Sequence, residues 1–223
     1  MKIQHIVLAA ALAAATVAAP QAWAIDFGLP KLGKTNSAGS GNVEADIKAF
    51  LQTADEARKL TGQSAFSLGM ALLTKEQMQA AQDQLDAAKK ITGTKEREAA
   101  ESKVTVDLQA ELAKVDYDAV AKDLAKANDK KKNALIGNSM FNFVLGLLKD
   151  KELASRGSAL ASSVASNPML LSKAGEVKDV LSSLSSQMGD MGKIATGLQK
   201  MATTIKSVPL PTSASAAPVA IAD

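Results

Sequence analysis

The side chains that carry most enzymatic chemistry are nearly missing from this chain. Among 223 residues there is one histidine, His5, and no cysteine. His5 lies in an N-terminal stretch that reads as a cleavable leader, so the working chain is expected to hold no imidazole and no thiol. That removes the commonest general base, the thiol nucleophile and the usual zinc ligands. A di-iron bundle built on Glu-x-x-His falls with them. Ser-x-x-Lys, Gly-x-Ser-x-Gly, phosphate-loop and calcium-loop patterns do not occur. Carboxylates remain, and Glu98 and Glu101 share a helix face. Lys95, Arg97 and Lys103 stand around them, which is the pattern of a solvated charged surface. No catalytic, cofactor-binding or metal-binding residue is predicted, and the chain reads as a non-enzyme.

Two features point to binding instead. Asn133 to Leu148 runs without a charge between Lys130–Lys132 and Lys149/Lys151. Its apolar residues Leu135, Ile136, Met140, Phe141, Phe143, Val144, Leu147 and Leu148 form a candidate interaction or membrane surface, because an apolar helix with basic flanks can lie in a bilayer interface. Asn133, Asn138, Ser139 and Asn142 interrupt that surface, and the stretch reaches only about 24 Å. A buried central helix is the alternative. The second feature is methionine: Met70, Met78, Met140, Met169, Met188, Met191 and Met201. Flexible thioethers suit a lipidic ligand or a partner helix, and they also serve as ordinary core filler.

The elements that must position these residues are helices. Between 42 and 207 the one proline is Pro168, and no alternating run suggests a strand. A first helix is predicted from Val43, after the N-cap Asn42, to Leu60, with Thr61-Gly62 as its stop. The apolar segment SAFSLGMALL follows. Thr74 and Gln77 form a capping-box pattern for a helix that stops at Gly93. Thr94 opens a long helix over 95–127, about 50 Å at about 1.5 Å per residue. Its seam is Val106, Ala110, Ala113, Tyr117, Val120, Leu124 and Ala127. After NDKKK at 128–132 comes the uncharged helix, then a small-residue helix from Ala154 to Ala165. Asn167-Pro168 restarts the chain as an N-cap with proline in the first turn.

The last helix, 168–206, carries the most regular pattern. Leu170, Ala174, Val177, Leu181, Leu184, Met188, Met191, Ala195, Leu198, Ala202 and Ile205 alternate steps of 4 and 3 without a miss. Gly175, Gly189, Gly192 and Gly197 sit off this stripe and cost roughly 1 kcal/mol each. Burying each large stripe residue returns roughly 1.5–3 kcal/mol, provided a partner face covers it. The 106–127 seam is the predicted partner, since both keep the spacing of left-handed packing near +20°. Self-association of the last helix is the alternative. The predicted fold is all-α: an antiparallel helical bundle with two long coiled-coil-like helices, monomeric rather than oligomeric.

Residues 1–24 have a charged start at Lys2, an apolar run from Ile6 to Ala19 and the small-x-small triplet Ala22-Trp23-Ala24. That is the layout of a secretory signal peptide rather than of an anchor, since the run is short for a bilayer of about 30 Å. Removal of Lys2 would lower the net charge from +3 to about +2, too balanced for a nucleic-acid binder. Residues 25–42 read as a flexible Gly/Ser leader and 208–223 as a disordered tail. About 200 residues between cleavage and C-terminus suffice for one core without disulfides. The leader, the linker, the helical body with its ASNPMLL restart and the closing IKSVPLP resemble a group of small exported bacterial proteins without assigned activity. The resemblance covers most of the chain, rests on layout and carries no functional residue over. The expectation is an exported, non-enzymatic bundle, periplasmic or extracellular, that binds an envelope protein or an apolar ligand. A membrane-active protein using the 133–148 helix is the alternative.

Overall fold

The computed structural model describes residues 43–127, 129–166, 168–205 and 209–221. The predicted leader, linker and Asn42 cap lie outside these residues, as does the Asn167 cap. The described chain is all-helical, with no strand among the described residues. The helices are α1 (Val43–Leu72), α2 (Lys75–Lys89), α3 (Thr94–Leu112), α4 (Tyr117–Ala127), α5 (Lys130–Ala165) and α6 (Leu171–Ile205), the last preceded by a 3-10 turn at Pro168–Leu170.

Four expected boundaries are corrected. The first helix does not stop at Thr61-Gly62. The Thr61 hydroxyl donates to the Ala57 carbonyl (2.8 Å) inside the helix, and the following segment buries Ala65 and Leu68 completely. That burial outweighs the roughly 1 kcal/mol that a mid-helix glycine costs. The long 95–127 helix is two helices. Asp116 accepts the Ala119 N–H (3.0 Å) and so caps α4, while the Tyr117 hydroxyl donates to the Leu112 carbonyl at the end of α3 (2.9 Å).

The other two differences lie in α5 and in the segment after α6. The uncharged helix and the small-residue helix are one continuous α5 of 36 residues. It begins inside the NDKKK run, where Asp129 Oδ1 accepts the N–H groups of Lys131 and Lys132 (3.0 and 3.1 Å). The segment read as a disordered tail packs on the bundle over 209–221, with Leu210 against the main core.

Two apolar clusters hold the bundle together. The larger joins Leu68, Leu112, Tyr117, Phe143, Ile194 and Leu198, so five helices meet there, with Met78 of α2 as the sixth. The smaller joins Ile47, Phe50, Leu153, Val164 and Val177, and only α1, α5 and α6 build it. Small residues let α1 and α5 approach closely. Gly146 leaves its space to Thr61, and Gly157 leaves its space to Phe50 and to Leu181 of α6. Later residues of α5 thus face earlier residues of α1, and the two helices run in opposite senses where they touch.

The α6 stripe packs on α5 and on α4. The 117–127 half of the predicted seam is thus a partner as expected, with Tyr117 and Leu124 in one cluster with Ile194 and Leu198, while α5 is the larger neighbour that the prediction lacked. The α3 half of that seam is rotated: Val104, Leu108 and Leu112 are buried, whereas Val106 is 36% exposed. In α6 itself Ile194 and Met201 are fully buried, while Ala195 and Ala202 lie half-buried beside them. A strict 3.5-residue spacing drifts across a helix of 3.6 residues per turn, and the buried face drifts with it.

Candidate binding groove

Of the eight residues of the predicted interaction surface, Ile136, Met140, Phe143 and Leu147 are core residues, buried in the larger cluster. Leu135, Phe141, Val144 and Leu148 are half-buried. The uncharged run is therefore the central strut of the bundle, covered on several faces. No described helix is long and apolar enough to cross a membrane.

Three of the eight residues do share one feature. Val144, Leu147 and Leu148 form one wall of a groove of about 560 Å³ between α5 and α6. Gly192, Ala195, Gln199 and Ala202 form the opposite wall, small residues spaced along one face of α6. Pro209, Leu210, Pro211 and Thr212 border it as a strap, and Lys151 stands at its edge. The groove exists because α6 carries no bulk there: a Cβ added at Gly192 would meet no atom within 4 Å. Thr196, Thr203 and Gln199 supply hydroxyl and amide groups along its rim. The volume lies within the range of small-molecule sites, about 300–1,000 Å³, and so does the mix of apolar wall and few polar groups.

Beyond the strap's first residues, the tail is held by α5 side chains. Asn142 Nδ2 donates to the Val219 carbonyl (2.7 Å), and Asn142 Oδ1 accepts the Val219 N–H (2.9 Å). Asn138 Nδ2 donates to the Ala220 carbonyl (2.8 Å). Of the four polar residues that interrupt the apolar surface, Asn138 and Asn142 fasten this segment, while the Ser139 hydroxyl donates to the Leu135 carbonyl of its own helix (2.9 Å). Two asparagines four residues apart in an uncharged helix were the sequence signal, since buried amides are hydrogen-bonded.

Other polar groups are buried without such partners. Asp150 is 3% exposed, its Oδ1 meets no hydrogen-bond donor, and burial pushes its carboxyl up to about 7. It lies one turn beyond Gly146 and just before Leu153, on the side of α5 that faces α1. Ser64 Oγ and Gln109 Nε2 are likewise buried and unpaired. No group of three or more potential metal ligands occurs among the described residues. Glu98 is exposed and Glu101 half-buried on α3. The methionines divide: Met78, Met140, Met191 and Met201 are buried filler, whereas Met70 is exposed, and none of the seven borders the groove.

No protein-family model, curated protein or solved structure matches this chain.

Proposed function

We propose that this chain is an exported, non-enzymatic binding protein whose α5–α6 groove receives an apolar ligand beneath the C-terminal strap. The observation that carries this reading is the groove itself, walled by Val144, Leu147 and Leu148 on α5 and by Gly192, Ala195 and Ala202 on α6. Apolar area withdrawn from water contributes roughly 25 cal/mol per Å², which sets the affinity available to a chain-like ligand lying along both helices. The mixed rim favours an amphiphile, with its apolar part between the helices and its polar end toward Lys151 and the threonines. Export rests on the sequence of residues 1–24.

Gly192→Leu tests the reading, because it fills the groove without displacing any atom within 4 Å of the new Cβ. With 1-N-phenylnaphthylamine as the fluorescent probe, the wild-type chain is expected to enhance emission and a long-chain fatty acid to compete. Gly192→Leu is expected to weaken probe binding at least about tenfold, the equivalent of about 1.4 kcal/mol, with an unchanged or higher melting midpoint. Failure of the wild-type chain to bind either probe overturns the reading, as does undiminished binding by the variant.

A further inference from the structure

A second face of α5, away from the groove, reads peptide backbone. Asn142 is buried, 3% exposed, and its amide makes a two-point pairing with one residue, accepting the N–H and donating to the C=O of Val219. One β-strand offers the same pair of groups to another; here a helix offers it through a side chain. Asn138 adds a third bond, to the carbonyl of the next residue, Ala220. All three bonds go to main-chain atoms. Side chains at 219 and 220 are therefore not read by these amides, and what is required is an extended backbone with a free N–H at the central position.

Pro218 stands immediately before that position. It has no N–H of its own, it fixes its φ, and it keeps the preceding residue extended. The segment thus arrives already in an extended form, which lowers the ordering cost of binding. Residues 209–221 carry no charge, which suits the neutral amides of Asn138 and Asn142 that hold the segment. Departure of the segment would replace three amide–backbone hydrogen bonds by bonds to water, a net loss of about 0.5–1.5 kcal/mol for each. Exchange for another backbone of the same form carries no such cost.

We infer that the Asn138–Asn142 face of α5 is a docking site for extended peptide, with this chain's own 217–221 as resident occupant. The partner it takes in exchange is an uncharged segment of another protein, with a proline followed by a small residue bearing a free N–H. The site is distinct from the groove and stands whether or not the groove is filled.

The test uses the full chain with Val219→Pro, which removes the N–H that Asn142 accepts and so frees the site. A labelled peptide of sequence AAPVAIA (residues 216–222) is titrated and followed by fluorescence polarisation. The tethered segment competes at an effective concentration near millimolar, so Val219→Pro should bind the peptide at least about tenfold more tightly than the wild-type chain. Adding Asn142→Ala should abolish that binding, and Asn138→Ala should weaken it several-fold, with helical circular dichroism and melting midpoint as controls for folding. A peptide with proline in place of its valine should not bind. Equal binding by Val219→Pro and wild type, or binding indifferent to Asn142→Ala, overturns the inference. A wild-type dimer that Val219→Pro dissolves, seen by light scattering, would give the site to a second copy and overturn the partner assignment.

Discussion

Tyr117 occupies the space that Gly197 leaves open. A Cβ at 197 would run into the Tyr117 ring, and the hydroxyl of that ring is tied to the Leu112 carbonyl. One glycine in α6 therefore seats the residue that joins the end of α3 to the start of α4. Gly197→Ala should destabilise the protein by about 1–3 kcal/mol, because overpacking a filled site forces the ring or the helix to move. Gly189→Ala, where an added Cβ meets nothing within 4 Å, should instead stabilise it by up to about 1 kcal/mol. Urea melts of the two variants check the contrast in sign.

Asp150 should make stability fall as pH rises. Its folded carboxyl sits at about 7 against an ordinary 3.8, and no cation lies within ion-pair distance among the described residues. Below about pH 4 both states are protonated and the residue costs nothing. Between about 4 and 7 the unfolded chain releases its proton first, so each step up in pH favours unfolding. Above 7 the full cost applies, up to about 4 kcal/mol at about 1.4 kcal/mol per pH unit. Asp150→Asn should match the wild type near pH 3 and be more stable by roughly 2–4 kcal/mol at pH 8. Melts across that range should show the wild-type slope and its loss in the variant.

The stripe of α6 is uneven in depth. Leu198 is fully buried, so Leu198→Ala should cost about 2–5 kcal/mol through lost burial and a cavity. Leu184 is only half-buried, and Leu184→Ala should fall below that range. Ser186 is exposed, and Ser186→Asp should move stability by about 0.5 kcal/mol or less. The ordering 198, 184, 186 in chemical denaturation is the test.

At the start of α2 the Thr74 hydroxyl accepts the Gln77 N–H (3.3 Å) and the Gln77 side chain accepts the Thr74 N–H (3.0 Å). Thr74→Ala should cost about 1 kcal/mol. Hydrogen exchange should speed up first at Gln77, whose N–H loses its acceptor.

Much of this architecture is legible in the residues, and the failures have physical causes. The capping box of α2, the restart at Pro168 and the periodicity of α6 are local signals that survive folding. Thr61-Gly62 is an equally plain local stop signal, overridden by the burial of Ala65 and Leu68 beyond it. The break at 113–116 hid itself because four residues are close to one helical turn, so the apolar spacing of the flanking helices stays in step across it. At the candidate groove, Val144, Leu147 and Leu148 are visible as apolar residues, but so are Ile136, Met140 and Phe143, which belong to the core, and composition does not say which face is which. The strap was read as disordered because it has no period. The asparagines that hold it, Asn138 and Asn142, are visible in the uncharged helix, but the groups they bond belong to the backbone, so the sequence does not say which segment they take.

The pairing of α1 with α5 also sets a schedule. Thr61 meets Gly146, a partner that emerges from the ribosome about 85 residues later, which at about 5–20 residues per second is a delay of roughly 4–17 s. For all of that time the part of α1 that carries Ile47 and Phe50 has no native surface to meet, whereas Leu68 can meet Leu108 and Leu112 of α3 about 40 residues after it emerges. A chain delivered unfolded through a translocation channel would face the same order of arrival, with its first helix waiting longest. The start of α1 is thus the part of the nascent protein whose apolar surface stays uncovered longest, and the helices that close the smaller cluster are the last to be born.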